Sequence, residues 1–348
     1  SRNNGTGNVA EAFNLGIYGL PAALGGYNQC DSGLGGGVGP CSDYQALIDA
    51  QKARGIRKVA FGVDTFSKIE TWGVTDILDL QLTDNLTLRN IANYSELKNY
   101  YSYDGDGTIA NVYDGNPFTA RSIPRDDVKQ FSEELQLQGK ALESRLEYVL
   151  GGFYFKNKPN GLQSSQSLTV CPLAYAAFCG DPGPTGDGAD NPFASVSIYG
   201  VTSESYAAYA QGTYDLGGVV QSLDGLRLTM GYRYTWDKVD GFNTAYNYDP
   251  GTATYFCTSD ASISLTPGGC TYTGELKSSR PTWIAGLDYK LRPNLLLYGK
   301  VSTGYKSGGF STFSVRPSTR TFGPEEVTAY ELGFKSDFTI LDAPVRLN

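Results

Sequence analysis

The sequence predicts an all-β fold: an antiparallel transmembrane β-barrel, represented by about ten strands, with long extracellular loops and short periplasmic turns. Three observations predict it. Apolar and polar residues alternate with period two over segments longer than the roughly 5–6 residues usual for globular strands. The connections between those segments alternate between short and long, as in outer-membrane barrels. Tyrosines gather near the ends of strands that run into long loops: Tyr100, Tyr101 and Tyr103 close one strand and Tyr154 lies near the end of another, fitting an aromatic girdle. The composition agrees, with 43 glycines, 25 tyrosines and a single methionine in 348 residues.

In chain order, residues 1–65 read mostly as an extracellular loop. Within it Ser42 and Gln45 form a capping box, Ala46, Leu47, Ile48, Ala50 and Ala53 follow at helical spacing, and Gly55 supplies a stop. This spacing predicts a short helix over about 42–54. Strands are predicted at about 66–82, 85–103, 128–139, 142–157, 202–216, 224–239, 277–291, 294–308, 325–340 and from 343 onward. The alternation is plain in Leu78, Leu80 and Leu82, in Leu135 and Leu137 between Glu134, Gln136 and Gln138, and in Leu226–Thr235. It recurs in Trp283, Ala285, Leu287, Tyr289 and Leu291, and again in Tyr330, Leu332, Phe334 and Phe338. Short connections are Thr83–Asn85, Gly139–Ala141, Gly217–Asp224, Arg292–Pro293 and Leu341–Ala343. Long polar loops fall near 104–127, 158–201, 247–276 and 309–324. Many strands exceed the ~9–11 residues that cross a bilayer and would project beyond it.

Other classes are excluded by what is missing. Without histidine there is no Ser-His-Asp triad, Cys-His pair or H-E-x-x-H zinc site. An enzyme is not expected, nor a cofactor or a metal site. A net charge of −8 with no local Lys/Arg cluster argues against nucleic acid as a partner. No run approaches 18 apolar residues, which excludes a transmembrane helix but not a membrane barrel. The six cysteines fall as local pairs in long loops: Cys30 with Cys41, Cys171 with Cys179, and Cys257 with Cys270. Connectivity cannot be deduced from sequence. Nearest-neighbour disulfides in an oxidising compartment are one solution and a cysteine metal site the other, although no C-x-x-C occurs.

Four stretches resemble TonB-dependent receptors of the Gram-negative outer membrane. Asp127–Gly139 (DVKQFSEELQLQG) is similar to the family's FSxELRL strand, and Leu146–Phe155 (LEYVLGGFYF) to its partner. Leu297–Phe310 (LYGKVSTGYKSGGF) resembles LYxxxSxGFKSGGF, and Phe322–Lys335 (FGPEEVTAYELGFK) resembles F.PExxxxYELGxK. The resemblance implies that residues 1–348 are part of a receptor barrel domain, about ten of roughly twenty-two strands. The N-terminal plug and the C-terminal strands are then absent from this chain. It implies TonB-dependent active uptake of a large scarce solute, a ferric siderophore above all. The partners it implies are outer-membrane lipid, the solute and, through the plug, the TonB–ExbB–ExbD energy-coupling complex. A passive porin-like channel or a surface adhesin of the outer membrane is the alternative. From position and chemistry, the candidate ligand contacts are Tyr101, Tyr103, Arg121, Tyr305, Lys306 and Phe310. By period two, Glu331 and Lys335 share the lumen-facing side, while Tyr305 and Lys306 face opposite ways.

Overall fold

A computed structural model describes residues 49–50, 52–55, 57–104, 114–168, 189, 191, 194–314 and 316–348. Its strands are β1 (Phe66–Thr83), β2 (Leu86–Asp104), β3 (Asp114–Gly115), β4 (Asp126–Ala141), β5 (Leu146–Pro159), β6 (Ser164–Leu168), β7 (Ala194–Asp215) and β8 (Leu226–Asp249). They continue with β9 (Thr254–Cys257), β10 (Ile263–Ser264), β11 (Thr271–Arg292), β12 (Leu295–Lys306), β13 (Gly309–Phe310), β14 (Thr321–Phe322), β15 (Glu325–Ile340) and β16 (Ala343–Leu347). Fourteen of these form one antiparallel sheet, and β13 pairs with β14 apart from it. The ten long segments are a meander, β1-β2-β4-β5-β7-β8-β11-β12-β15-β16, in which each hairpin partner is the next long strand. Among the described residues β1 and β16 do not pair with each other, so the wall is open.

The register separates the two faces. Leu80, Leu88, Leu137, Leu150, Ala210, Tyr232 and Trp283 lie directly opposite one another in turn, an unbroken apolar row across seven strands. One residue along, the opposite face carries Asp79, Arg89, Gln136, Gly151, Tyr209, Arg233 and Thr282 in register. The polar face is concave, because residues from β1 through β12 line a single cavity on it. The apolar face is convex, the side that faces lipid in a membrane barrel. The exposed Leu78, Leu80, Leu135, Leu150, Met230 and Leu287 on it are therefore placed as a membrane wall requires, and not as an aggregation-prone surface.

All ten predicted strands are present, but three run further toward the long-loop end. β7 begins at Ala194, β8 ends at Asp249 and β11 begins at Thr271. At about 3.3 Å per residue and about 40° of tilt, roughly ten residues cross an apolar band ~25 Å tall. The remainder of the 24-residue β8 rises beyond the membrane. There the sheet turns into a small globular rim with two buried clusters: Val196, Tyr246, Cys257 and Cys270, and beside it Val239, Tyr272 and Phe310.

One turn also moves. Gly139–Ala141 is strand, and the chain reverses at residues 142–145, where Leu142, Glu143 and Ser144 all take positive φ. Gly139 is glycine for space: it lies opposite Tyr148, and a Cβ there would meet the phenol at 2.5 Å. The same pairing of a glycine with a cross-strand tyrosine recurs at Gly151–Tyr209 and Gly333–Tyr298. At the predicted helix, residues 49–50 and 52–54 are helical; residues 42–48, like Cys30, Cys41, Cys171 and Cys179, lie outside the described residues.

Candidate functional site: the lumen wall and its mouth

The concave face carries two features in series. At the level of the apolar row, a cavity of about 910 Å³ is lined by residues of β1 to β12, most of them polar, with Val149 and Ile284 among them. Along β4 the inward glutamines form a ladder: Gln138 Nε2 donates to Gln136 Oε1 (2.6 Å), and Gln136 Nε2 to Glu134 Oε1 (2.9 Å). The Tyr209 hydroxyl, projecting over Gly151, also donates to Glu134. The Arg233 guanidinium lies 5.1 Å from the Phe153 ring centre and 5.7 Å from that of Tyr209. These groups are solvated donors and acceptors rather than a core, as a water-filled lumen demands.

Above it, where the strands project, a pocket of about 410 Å³ is lined by Arg125, Asp126, Asn157, Gln163, Tyr199, Ser203, Thr312 and Phe313, among others. Its centre is Arg125. The guanidinium stands 4.7 Å from the Tyr101 ring centre and 5.8 Å from that of Phe313. The backbone is pinned, since Arg125 N–H donates to the Asn99 carbonyl (2.9 Å) and its own carbonyl accepts from the Tyr199 hydroxyl (2.7 Å). Tyr199 packs edge-on against Phe313 with ring centres 5.3 Å apart. Its phenol is pushed up to about 12, first by burial and then by the nearby Asp126 carboxylate. Asp126 itself accepts from Asn99 Nδ2 at 2.9 Å. Arg125 forms no ion pair among the described residues, leaving a cation clamped by two rings beside the Tyr199 hydroxyl, with more N–H donors than that one neighbour can occupy.

The six residues picked from sequence separate. Tyr101 belongs to the Arg125 clamp, and Tyr103 stacks on it at 5.8 Å. Arg121 is elsewhere: it pairs with Asp64 and covers the Phe66 ring at 4.4 Å. The Tyr305 hydroxyl lies 2.6 Å from Ser278 Oγ, and Lys306 is an exposed residue 3.9 Å from Glu325. Phe310 is only 8% exposed, its ring seated over Gly241 and Gly274 and against Tyr272, so it packs the rim instead of offering a free face. Glu331 and Lys335 do share the concave side, where Glu331 pairs with Lys300 at 2.8 Å. Sequence reasoning passed over Arg125, Tyr199 and Phe313. The available signal was Arg125 itself, a cation directly after Pro124 where a strand begins.

Cys257 is bonded to Cys270, 13 residues on, tying the β9–β10 hairpin to the start of β11. No group of metal-ligating side chains occurs among the described residues.

An amphipathic antiparallel wall with a polar concave face, an apolar convex face and strands longer than a bilayer needs is the wall of an outer-membrane-type β-barrel. The sequence model of the family described as TonB dependent receptor-like, beta-barrel matches residues 15–345, and the chain belongs to that family. Members of this family are transporters, not enzymes. A curated relative, the probable TonB-dependent siderophore receptor PiuA of Acinetobacter baumannii, is 26% identical over a 304-residue alignment that covers 78% of this chain. The chain spans 36% of that relative's length. The ferric yersiniabactin uptake receptor FyuA of Yersinia pestis has the same fold, with a TM-score of 0.55 at 16% identity over 79% of this chain and 34% of its own.

Proposed function

We propose that this chain forms part of the barrel of an outer-membrane receptor that takes up a ferric siderophore, driven by the TonB–ExbB–ExbD complex of a Gram-negative cell. The observation that carries the reading is Arg125, an unpaired cation held between Tyr101 and Phe313 at the extracellular mouth. A siderophore chelate presents metal-bound oxygen donors, often with net negative charge and flat aromatic groups. A guanidinium edge flanked by rings suits both. The wet wall below, with Glu134, Tyr209 and Arg233, gives the solute a polar route once the mouth releases it. The curated relative named as a probable siderophore receptor supports the choice of cargo.

The test is uptake of radiolabelled ferric siderophores by cells carrying the full-length protein, with and without a functional TonB. Arg125→Ala is expected to weaken binding about 10–100-fold, the worth of a lost charged hydrogen bond at roughly 1.5–3 kcal/mol. The backbone bonds that pin residue 125 survive this change. Unaltered binding by the variant, or uptake that persists without TonB, overturns the proposal; the second result points to a passive channel.

A further inference from the structure

The lower end of the concave wall, beside the short turns, carries a feature that the mouth does not explain. A cavity of about 650 Å³ opens there between β8, β11, β12, β15 and β16. Its layout follows from the register. Lys290 of β11 lies directly opposite Leu296 of β12, and Leu296 directly opposite Lys335 of β15. The two lysines therefore flank an apolar floor at two strand spacings, about 10 Å apart. Both face the lumen, Lys290 in step with Thr282 and Lys335 in step with Glu331. Arg292 joins them in the cavity after the irregularity between Lys290 and Arg292. Backbone bonds fix the frame: Lys290 N–H donates to the Gly225 carbonyl (2.8 Å), and Asp337 N–H to the Asn294 carbonyl (3.0 Å).

The nearby carboxylates are matched by other cations. Asp288, two residues before Lys290, accepts from Arg227 Nε (3.0 Å). Asp337, two residues after Lys335, accepts from Arg346 Nε (2.7 Å), and Glu331 pairs with Lys300 (2.8 Å). Asp215 lines the cavity with no cation of its own, its Oδ1 accepting from the Gly217 N–H. Lys290, Arg292 and Lys335 are exposed and form no ion pair among the described residues. Three unmatched cations against the single carboxylate of Asp215 leave the cavity net positive. On β2 and β4, by contrast, the lower concave cations are paired, Arg89 with Asp79 (2.6 Å) and Lys140 with Glu147 (3.0 Å).

We infer that this cavity is an anion site at the inner end of the lumen, taking a small organic anion with several carboxylates. Separate carboxylates meet Lys290, Arg292 and Lys335 in charge-assisted hydrogen bonds, while the carbon frame rests on Leu296. The volume is that of a small-molecule site, and Lys and Arg side chains are what select anions along a pore. That the occupant is the solute leaving the barrel rests on the uptake proposed above; the binding of the anion does not.

The test is calorimetric titration of citrate into the full-length protein in detergent, with Arg125→Ala present throughout so that the mouth does not report. Citrate is expected to bind, more weakly as salt rises, and acetate is not. The Lys290→Gln/Arg292→Gln/Lys335→Gln variant is expected to bind citrate about thirtyfold more weakly, about threefold for each exposed cation. Lys335→Gln alone, which breaks no ion pair, should lose about threefold, and Lys140→Gln, whose lysine is already paired, should bind as the parent does. In cells, with Arg125 restored, the triple variant is expected to bind radiolabelled ferric siderophore as the parent does and to import it several-fold more slowly. No citrate binding by the parent, or equal binding by parent and triple variant, overturns the anion site. Lost citrate binding with unchanged import overturns the solute as its occupant. Import that persists without TonB overturns the uptake reading and leaves the anion site standing.

Discussion

The β13–β14 flap over the mouth is held by two wall hydrogen bonds, Asn243 Nδ2 to the Thr312 carbonyl and the Tyr272 hydroxyl to the Ser311 carbonyl, and by one buried ring. Phe310 is 8% exposed, and its ring occupies a notch that exists because residues 241 and 274 lack side chains; a Cβ at Gly274 would meet the ring at 2.7 Å, and one at Gly241 would come closer still. Phe310→Ala leaves that notch empty and, at the lower end of the cost of truncating a buried phenylalanine, loses about 3 kcal/mol. The loss falls on the flap, because the ladders of β8 and β11 do not depend on the ring. About 3 kcal/mol is roughly a hundredfold more flap opening, to be read as faster amide exchange at Ser311, whose N–H donates to the Arg320 carbonyl at 2.8 Å. Gly241→Ala expels the same ring from the other side and should accelerate the same amide comparably. The double variant should then exchange no faster than Phe310→Ala alone, a coupling of about 3 kcal/mol in a double-mutant cycle. Additive effects, or an unchanged Ser311 amide in Phe310→Ala, would refute the notch as the latch.

Three further outcomes follow from the geometry. Tyr199 should ionise about two units above an unperturbed tyrosine: its folded value is raised to about 12, so native stability is unchanged below about pH 10 and falls as pH rises through that window. Comparing the phenolate absorbance of the protein with that of Tyr199→Phe isolates this step, and a missing component near pH 10 instead would contradict the burial. Replacing Cys257 and Cys270 together by serine should loosen the β9–β10 hairpin by about 2–3 kcal/mol in local exchange, while far-ultraviolet circular dichroism stays the same. Gly151→Val should destabilise the wall by about 1–3 kcal/mol in urea-induced unfolding, because its side chain displaces the Tyr209 ring and takes its hydroxyl away from Glu134; Gly152→Ala, where a Cβ meets nothing nearer than 4.0 Å, should be close to neutral.

Where lipid imposes a pattern, the sequence displayed it. Leu135, Leu137 and their neighbours alternate because one face meets hydrocarbon and the other water, and every strand with that contrast was legible. The upper parts of β7, β8 and β11 have no lipid to answer to. Ser195, Ser197, Asn243 and Asn247 continue the ladder above the membrane with polar residues that read as loop. Gly139 reads as a turn in the sequence because glycine marks turns as readily as it makes room for a facing tyrosine, and only the partner Tyr148 distinguishes the two. The mouth was half legible. Tyr101 was found as an aromatic at a strand end, whereas the value of Arg125 arises from Tyr101 and Phe313, which are remote in sequence and meet only in the fold.

The central claim, that alternate residues of one strand face lipid and lumen, is tested most directly by single spin labels at residues 135 to 138 of β4 in the full-length protein in lipid. Labels replacing Leu135 and Leu137 should be relaxed by oxygen dissolved in the bilayer, and those replacing Gln136 and Gln138 by a water-soluble nickel chelate. Four labels with the same accessibility, or the opposite order, would contradict the wall described for this chain.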